Sequence, residues 1–517
     1  MTLIRGFASR RARAAGDRSP TSAFHGGLLL TGILCFQGLL IGIALLRYDQ
    51  DRLRALWHAL SLTEFGQQDT VWFALALAVI VYLRLAMSRP AGRYLPGWLA
   101  RRWPTEPKPL RHVALIALAV LGFAVAGTFL FHHGYSFVID EYLAEQQSEI
   151  FAGGELLATL PKPWREYHAA ILHDFAHYDP ATGLWASGYR PLFAAIRAGF
   201  SLVGLASLTN AILTALSIVL VALVAQRLWP GRRDVAIVAA VLLATSPQVL
   251  FTGMSGFAWS AHLCLNLLWV WLFLRGDKAG HMLAALVGVA AVGLHQIHVH
   301  AFFVLPFMLG LLGSRRFGLA GFYAAVYAAG HLAWLLWYDV SLALTAPAVT
   351  AGVAAAGSTG FEYLSRGLGR VTVLDPVGLG LMGLNFFRLL AWQNLILLPL
   401  VLVALRHWRS LDPALRLLTW GIALSLIPYV LVMPNQMHGW GYRYLHGLLG
   451  NLVLLGTYGY VRLSADRGQA AAALHRAFVI AAAAMVVLAL PLRAVQVDRL
   501  VGPLARADRY VQSQEAE

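Results

Sequence analysis

The chain has 517 residues, 59% of them hydrophobic and 13% charged, with a mean hydropathy of +0.64, which excludes an ordinary soluble protein, nearer half apolar and a quarter charged. A net charge of +15 reads first as basic loops against the anionic cytoplasmic leaflet, and nucleic acid is not expected as a partner. Cys35 and Cys264 both lie inside apolar blocks, so neither a disulfide framework nor a structural zinc site is available.

The first apolar block runs from about residue 27 to 46 behind Arg5, Arg10, Arg11, Arg13 and Arg18. At about 20 residues it is too long for the apolar core of a cleaved signal and predicts a retained signal anchor. Further blocks fall near 71–87, 112–131, 206–226, 235–251, 257–274, 280–294, 300–313, 317–338, 387–405, 414–433, 445–461 and 473–492, each closed by charge, Gly or Pro. The pattern predicts an all-α polytopic transmembrane helix bundle of about 13 spans. With the N-terminus inside, 24 of the 40 basic residues fall on cytoplasmic segments, the side that positive charge prefers. Residues 1–111 read as a basic N-terminus, an extra hairpin and a basic loop. Residues 112–460 read as the functional core, with outer loops at 132–205 and 339–386, and 461–517 as the last span and a short polar tail. No stretch between blocks is long enough for a large soluble domain, so any chemistry falls to the outer loops and helix mouths.

Polar residues collect in three places on that outer side. The first loop carries Asp140 and Glu141, followed by Tyr142, Glu145, His173, Asp174, Tyr189 and Arg190. A carboxylate pair at a membrane surface takes a proton from a hydroxyl nucleophile or holds a divalent cation such as magnesium or manganese; the alternative is an interfacial helix with solvated acids. The turn GLHQIHVHAF (293–302) brings His295, His298 and His300, which suit a polar cavity better than zinc because no carboxylate lies nearby in sequence. The segment MPNQMHGWGYRYLHG (433–447) sets Arg443 among His438, Trp440, Tyr442 and Tyr444, a setting for gripping phosphate or, in the alternative, an aromatic belt with a snorkelling arginine. Glu362 and Asp375 on the second outer loop read as loop and turn residues.

In order along the chain, FVIDEYLAEQQSEIFAGGEL (137–156), SGYRPLFAAI (187–196), LLATSPQVLFTGMSG (242–256) and GWGYRYLHGLLGNLVLL (439–455) resemble the GT-C superfamily of integral-membrane glycosyltransferases, over roughly residues 112–460. The protein mannosyltransferase and aminoarabinose transferase types are the most similar. Arg190 stands where that family carries a second proline. The resemblance implies a GT-C-like bundle with extracytoplasmic loop helices. It also implies inverting transfer of a sugar from a polyprenyl-phosphate donor to an acceptor hydroxyl of a lipid, glycan or protein, at the periplasmic face of a bacterial inner membrane. Asp140 matches the family's catalytic base and Glu141 its second acid. Arg443 and Tyr444 match a late Arg-Tyr pair expected at the lipid phosphate, with Arg190, His295 and His298 as further donor contacts. Tyr142, Glu145, Tyr189, His173, Asp174, His438 and Trp440 are expected to touch substrate or acceptor. The competing readings are a lipid-linked glycan flippase or carrier, which would place its charges near the bilayer midplane, an O-antigen-type ligase or polymerase, and a non-catalytic scaffold.

Overall fold

The computed structural model describes residues 20–49, 51, 59–88, 109–172, 175–347, 376–431, 435–465 and 469–515. The basic start, most of the second outer loop with Glu362 and Asp375, and the candidates His173 and Asp174 lie outside the described residues.

The chain folds as a multi-pass helical membrane bundle. In order it runs α1 (Pro20–Arg47), α2 (Ala59–Glu64), a π turn (Phe65–Asp69), α3 (Thr70–Ser88), α4 (Pro109–Leu130) and α5 (Ile139–Ala152). Then come β1 (Ala158–Thr159), β2 (Ala176–Asp179), β3 (Leu184–Ser187), α6 (Leu192–Ser201), α7 (Thr209–Leu228), α8 (Asp234–Ala244), α9 (Pro247–Gly253) and α10 (Trp259–Phe273). It continues through α11 (Lys278–Val292), α12 (Ile297–Gly313), α13 (Phe317–Leu335), α14 (Trp337–Thr345), α15 (Pro376–Ala391), α16 (Leu397–Arg406) and α17 (Pro413–Leu431). A 3₁₀ turn (Arg443–Leu448) leads into α18 (Leu449–Leu463), α19 (Gln469–Ala484), a second π turn (Met485–Ala489) and α20 (Leu490–Glu515).

The described parts of the predicted blocks are mostly helical. Among the described residues six helices are long and apolar enough to cross a membrane, and up to eight if each of two bent pairs is one span. The pairs are α8–α9, bent by 66°, and α13–α14, bent by 48°. The first bend follows from its sequence: Ser246 caps α9, its Oγ accepting from the Val249 N–H, and Pro247 occupies the first helical position. The predicted block at 387–405 is likewise two helices, because Asn394 turns away from the helix to accept from the Ile396 N–H and donate to Thr245 Oγ1.

Two further features differ from the sequence reading. The loop between α4 and α7, predicted as the first outer loop, holds a three-stranded antiparallel sheet in the order β1-β3-β2, closed by Asp179, whose carboxylate accepts from Thr182, and by Gly183 at φ +77°. The supposed polar tail is the helix α20, which buries Val497, Val501 and Ala505 on one face. It meets the start of the first outer loop where Asp498 Oδ1 lies 2.7 Å from His133 Nε2.

Small residues bring the helices close, since lipid-soluble helices associate through packing rather than through water exclusion. Gly459 of α18 lies so near α16 that a Cβ there would stand 2.0 Å from the Leu400 carbonyl oxygen. The N-terminal hairpin is packed in the same way, α1 lying on α3 and on α16, with Gly27 against Pro399.

Candidate active site

Asp140 and Glu141 lie in the first turn of α5, where free N–H groups and the helix dipole favour negative charge. The two oxygens of Asp140 have separate partners. Oδ1 accepts from the Tyr189 hydroxyl at 2.6 Å and Oδ2 accepts from Arg443 Nη1 at 2.8 Å. Burial pushes the Asp140 carboxyl up, but Arg443, His295 and the Tyr189 bond overrule it and hold the carboxyl below its ordinary range. Burial and the neighbouring carboxylate together drive the Tyr189 phenol upward.

An aromatic wall surrounds the pair. Tyr189 stacks on His295 with 4.1 Å between ring centroids, and burial pushes His295 down to about 4, so its imidazole is neutral at pH 7. Trp259 meets His295 edge-on and also meets Tyr444, which stacks on Tyr429 at 4.8 Å; Tyr429 in turn touches His298. The Arg443 guanidinium lies 5.4 Å from the Phe257 ring centroid and 5.2 Å from that of Tyr444, within cation–π range. Its Nε has no hydrogen-bond partner among the described residues.

Two glutamines that the sequence reading passed over fix the backbone that presents Arg443. Gln436 Oε1 accepts from the Arg443 N–H and its Nε2 donates to the Gly441 carbonyl. Gln248, placed by the Ser246-Pro247 break, donates through Nε2 to the Tyr442 carbonyl at 2.7 Å. Gly441 sits between them at φ +71°, where a Cβ would lie 2.5 Å from Gln248 Oε1, so only glycine fits.

Of the predicted site residues, Asp140, Tyr189, His295, Arg443 and Tyr444 converge, with His298 one ring further out. Arg190 joins through its backbone N–H, which donates to the His295 carbonyl, while its guanidinium donates to the Trp334 carbonyl at the end of α13. Glu141 points elsewhere: its Oε2 accepts from the Gly256 N–H at 3.1 Å, and burial pushes its carboxyl up to about 8, so it is protonated at neutral pH. Glu145 accepts from Ser136 and lies 3.6 Å from Arg197. Tyr142 is exposed on the rim of a cavity of about 440 Å³ that Ile139, Leu143, Gln146 and Trp185 also line. Among the described residues no three His, Cys, Asp or Glu side chains are grouped to hold a metal ion.

His438 and Trp440 belong to a second cluster that the sequence reading missed. His438 Nδ1 contacts Glu64 Oε1, and Glu64 Oε2 is 2.8 Å from Arg388 Nη2. Asp69 Oδ2 is 3.7 Å from Arg388 Nε, and Asp69 Oδ1 accepts from both Arg493 Nη2 and Trp392 Nε1 at 2.8 Å. The Trp440 ring packs on His438, His132 and Trp392. The signal was present: Glu64 and Asp69 border an apolar block, Arg388 lies in one and Arg493 follows one, and ionisable groups in such places face the bundle interior.

No protein-family model matches the chain, and no curated protein matches it either.

Proposed function

We propose that the protein is a GT-C-like glycosyltransferase of the bacterial inner membrane, with about 13 membrane-embedded segments, that moves a sugar from a polyprenyl-phosphate donor to an acceptor hydroxyl at the periplasmic face. The observation that carries this reading is the Asp140 carboxylate shared between the Tyr189 hydroxyl and the Arg443 guanidinium in a buried aromatic setting. An ionised carboxylate beside a guanidinium supplies a proton acceptor and a phosphate partner within one hydrogen-bonded pair. Donor phosphate competes for Arg443. As the guanidinium turns to the phosphate, Asp140 loses the charge that depresses its basicity and takes the acceptor's proton. The acceptor oxygen then bonds to the anomeric carbon from the face opposite the phosphate, the bond from that carbon to the phosphate oxygen breaks, and Arg443 neutralises the charge left on the lipid phosphate. No covalent enzyme intermediate is needed, which matches inversion.

A second feature supports a lipid-linked donor. A groove of about 480 Å³ between α12 and α13 is lined mainly by apolar side chains, among them Val304, Leu305, Met308, Leu312 and Phe317, and also by His300, Tyr327 and His331. From Phe317 to His331 it covers about 21 Å of helix.

The deciding experiment is transfer of radiolabelled sugar from polyprenyl-phosphate donors to a membrane lipid extract by the purified protein. Wild type turns the donor over and Asp140→Asn loses about 10² or more in rate. Equal rates in the two proteins would remove Asp140 from the role of base. Absence of any donor turnover by folded wild type would turn attention to flippase and ligase chemistry.

A further inference from the structure

The segment that carries Arg443 is gripped from outside the first outer loop. Ser61 of α2 donates through Oγ to the Met437 carbonyl at 2.9 Å. Glu64, one turn further on, takes His438 on one oxygen and Arg388 on the other, and Arg388 Nη2 also donates to the Gly439 carbonyl at 2.7 Å. Residues 437–439 are thus fixed by α2 and α15, four residues ahead of Arg443.

His438 is where the grip reaches the Asp140 pair. Its ring packs edge-on against Phe137 at 4.4 Å between centroids, and Phe137 immediately precedes Val138, the residue that opens α5 in front of Asp140. The same ring lies parallel to Phe257 at 6.3 Å, and Phe257 is the ring that the Arg443 guanidinium covers. One buried imidazole therefore touches the support of both members of the pair. What holds it is charge-balanced: Glu64 and Asp69 face Arg388 and Arg493, two of each sign, with side chains at most 2% exposed. Removing one charge from such a cluster leaves its partner unpaired in a low-dielectric interior, so the cluster moves rather than tolerating the loss.

We propose that Glu64 and Arg388 are positioning residues for the Asp140–Arg443 pair, acting through His438 and the Gly439 carbonyl. The N-terminal hairpin is then part of the site's machinery. The effect on turnover rests on the glycosyltransferase reading, whereas the effect on geometry does not.

The test measures amide hydrogen exchange in full-length protein in lipid nanodiscs, over segments 435–443 and 136–145, for wild type, Glu64→Gln and Arg388→Lys. Loss of a hydrogen bond to a charged group predicts exchange about tenfold to a hundredfold faster in 435–443, with 136–145 accelerating in parallel and the segments of α7 and α10 unchanged. Unchanged protection of 136–145 in a folded variant would overturn the proposal, whatever 435–443 does. If Glu64→Gln does not fold, Glu64→Asp, which keeps the charge but retreats from His438, is read by the same two segments. With whichever donor wild type consumes, kcat falls about tenfold or more in Glu64→Gln and recovers in part in Glu64→Asp. A wild type that consumes none defeats the glycosyltransferase reading and leaves the exchange result to decide the positioning role.

Discussion

The molecule contains two buried arrangements of acids and arginines, built to different plans. In the cluster of Glu64, Asp69, Arg388 and Arg493, charges balance two against two, and Arg493 is further engaged by the Gln68 and Ala391 carbonyls and by the Trp392 face, 4.1 Å from its guanidinium carbon. The Asp140–Arg443 pair differs: it is one acid and one base, 12% and 10% exposed, and the second carboxylate oxygen is held by the Tyr189 hydroxyl rather than by another charge. A network sealed from solvent and tying several helices together holds them in place. A pair that a small ligand can reach is suited to exchanging partners during a reaction.

Substitutions sharpen that contrast. The largest effect on folding belongs to the closed cluster: Arg493→Met, which leaves Asp69 without its closest ion-pair partner, costs about 3–5 kcal/mol and is expected to show in detergent as lost monodispersity. Asp140→Asn is expected to leave the chromatographic profile intact and to act on turnover instead; a profile as poor as that of Arg493→Met would erase the distinction. Tyr189→Phe removes one hydrogen bond to an ionised carboxylate, about 1.5–3 kcal/mol, and should lower turnover by about tenfold or more without altering the fold.

Glu141 gives a pH test. Its folded carboxyl is raised from 4.5 to about 8, so the unfolded chain loses its proton first as pH rises. Its contribution is fully present below the ordinary carboxyl range and declines by about 1.4 kcal/mol per pH unit up to 8. Thermal melts between pH 5 and 8 should show this slope in wild type and not in Glu141→Gln; equal slopes would mean that Glu141 is ionised in the fold. The smallest effect is expected at the half-exposed contact of Asp498 with His133, where Asp498→Ala should cost about 1 kcal/mol or less.

The sequence made the membrane class and part of the candidate site legible because both depend on local pattern. Apolar blocks name helices, and acids, histidines and an arginine beside helix ends name the residues that converge on Asp140. The helix boundaries were less legible, because Ser246-Pro247 and Asn394 break helices inside runs that are continuous in hydropathy. The three-stranded sheet was hidden in strands of two to four residues, too short for alternation to register. The partners of Glu64 were hidden for a different reason: they lie hundreds of positions away, and no periodicity links residue 64 to 388 and 438.

That separation bears on how the chain is made. Asp69 and Arg493, which share a hydrogen bond in the finished protein, are 424 residues apart. At about 5–20 residues per second, the acid waits roughly 20 to 85 seconds in or beside the membrane before its arginine is synthesised. The N-terminal hairpin therefore enters the bilayer bearing charges whose partners do not yet exist. Biogenesis of this protein has an interval of unpaired acids that closes in two stages, for Glu64 once Arg388 is made and for Asp69 in full only when α20 brings Arg493.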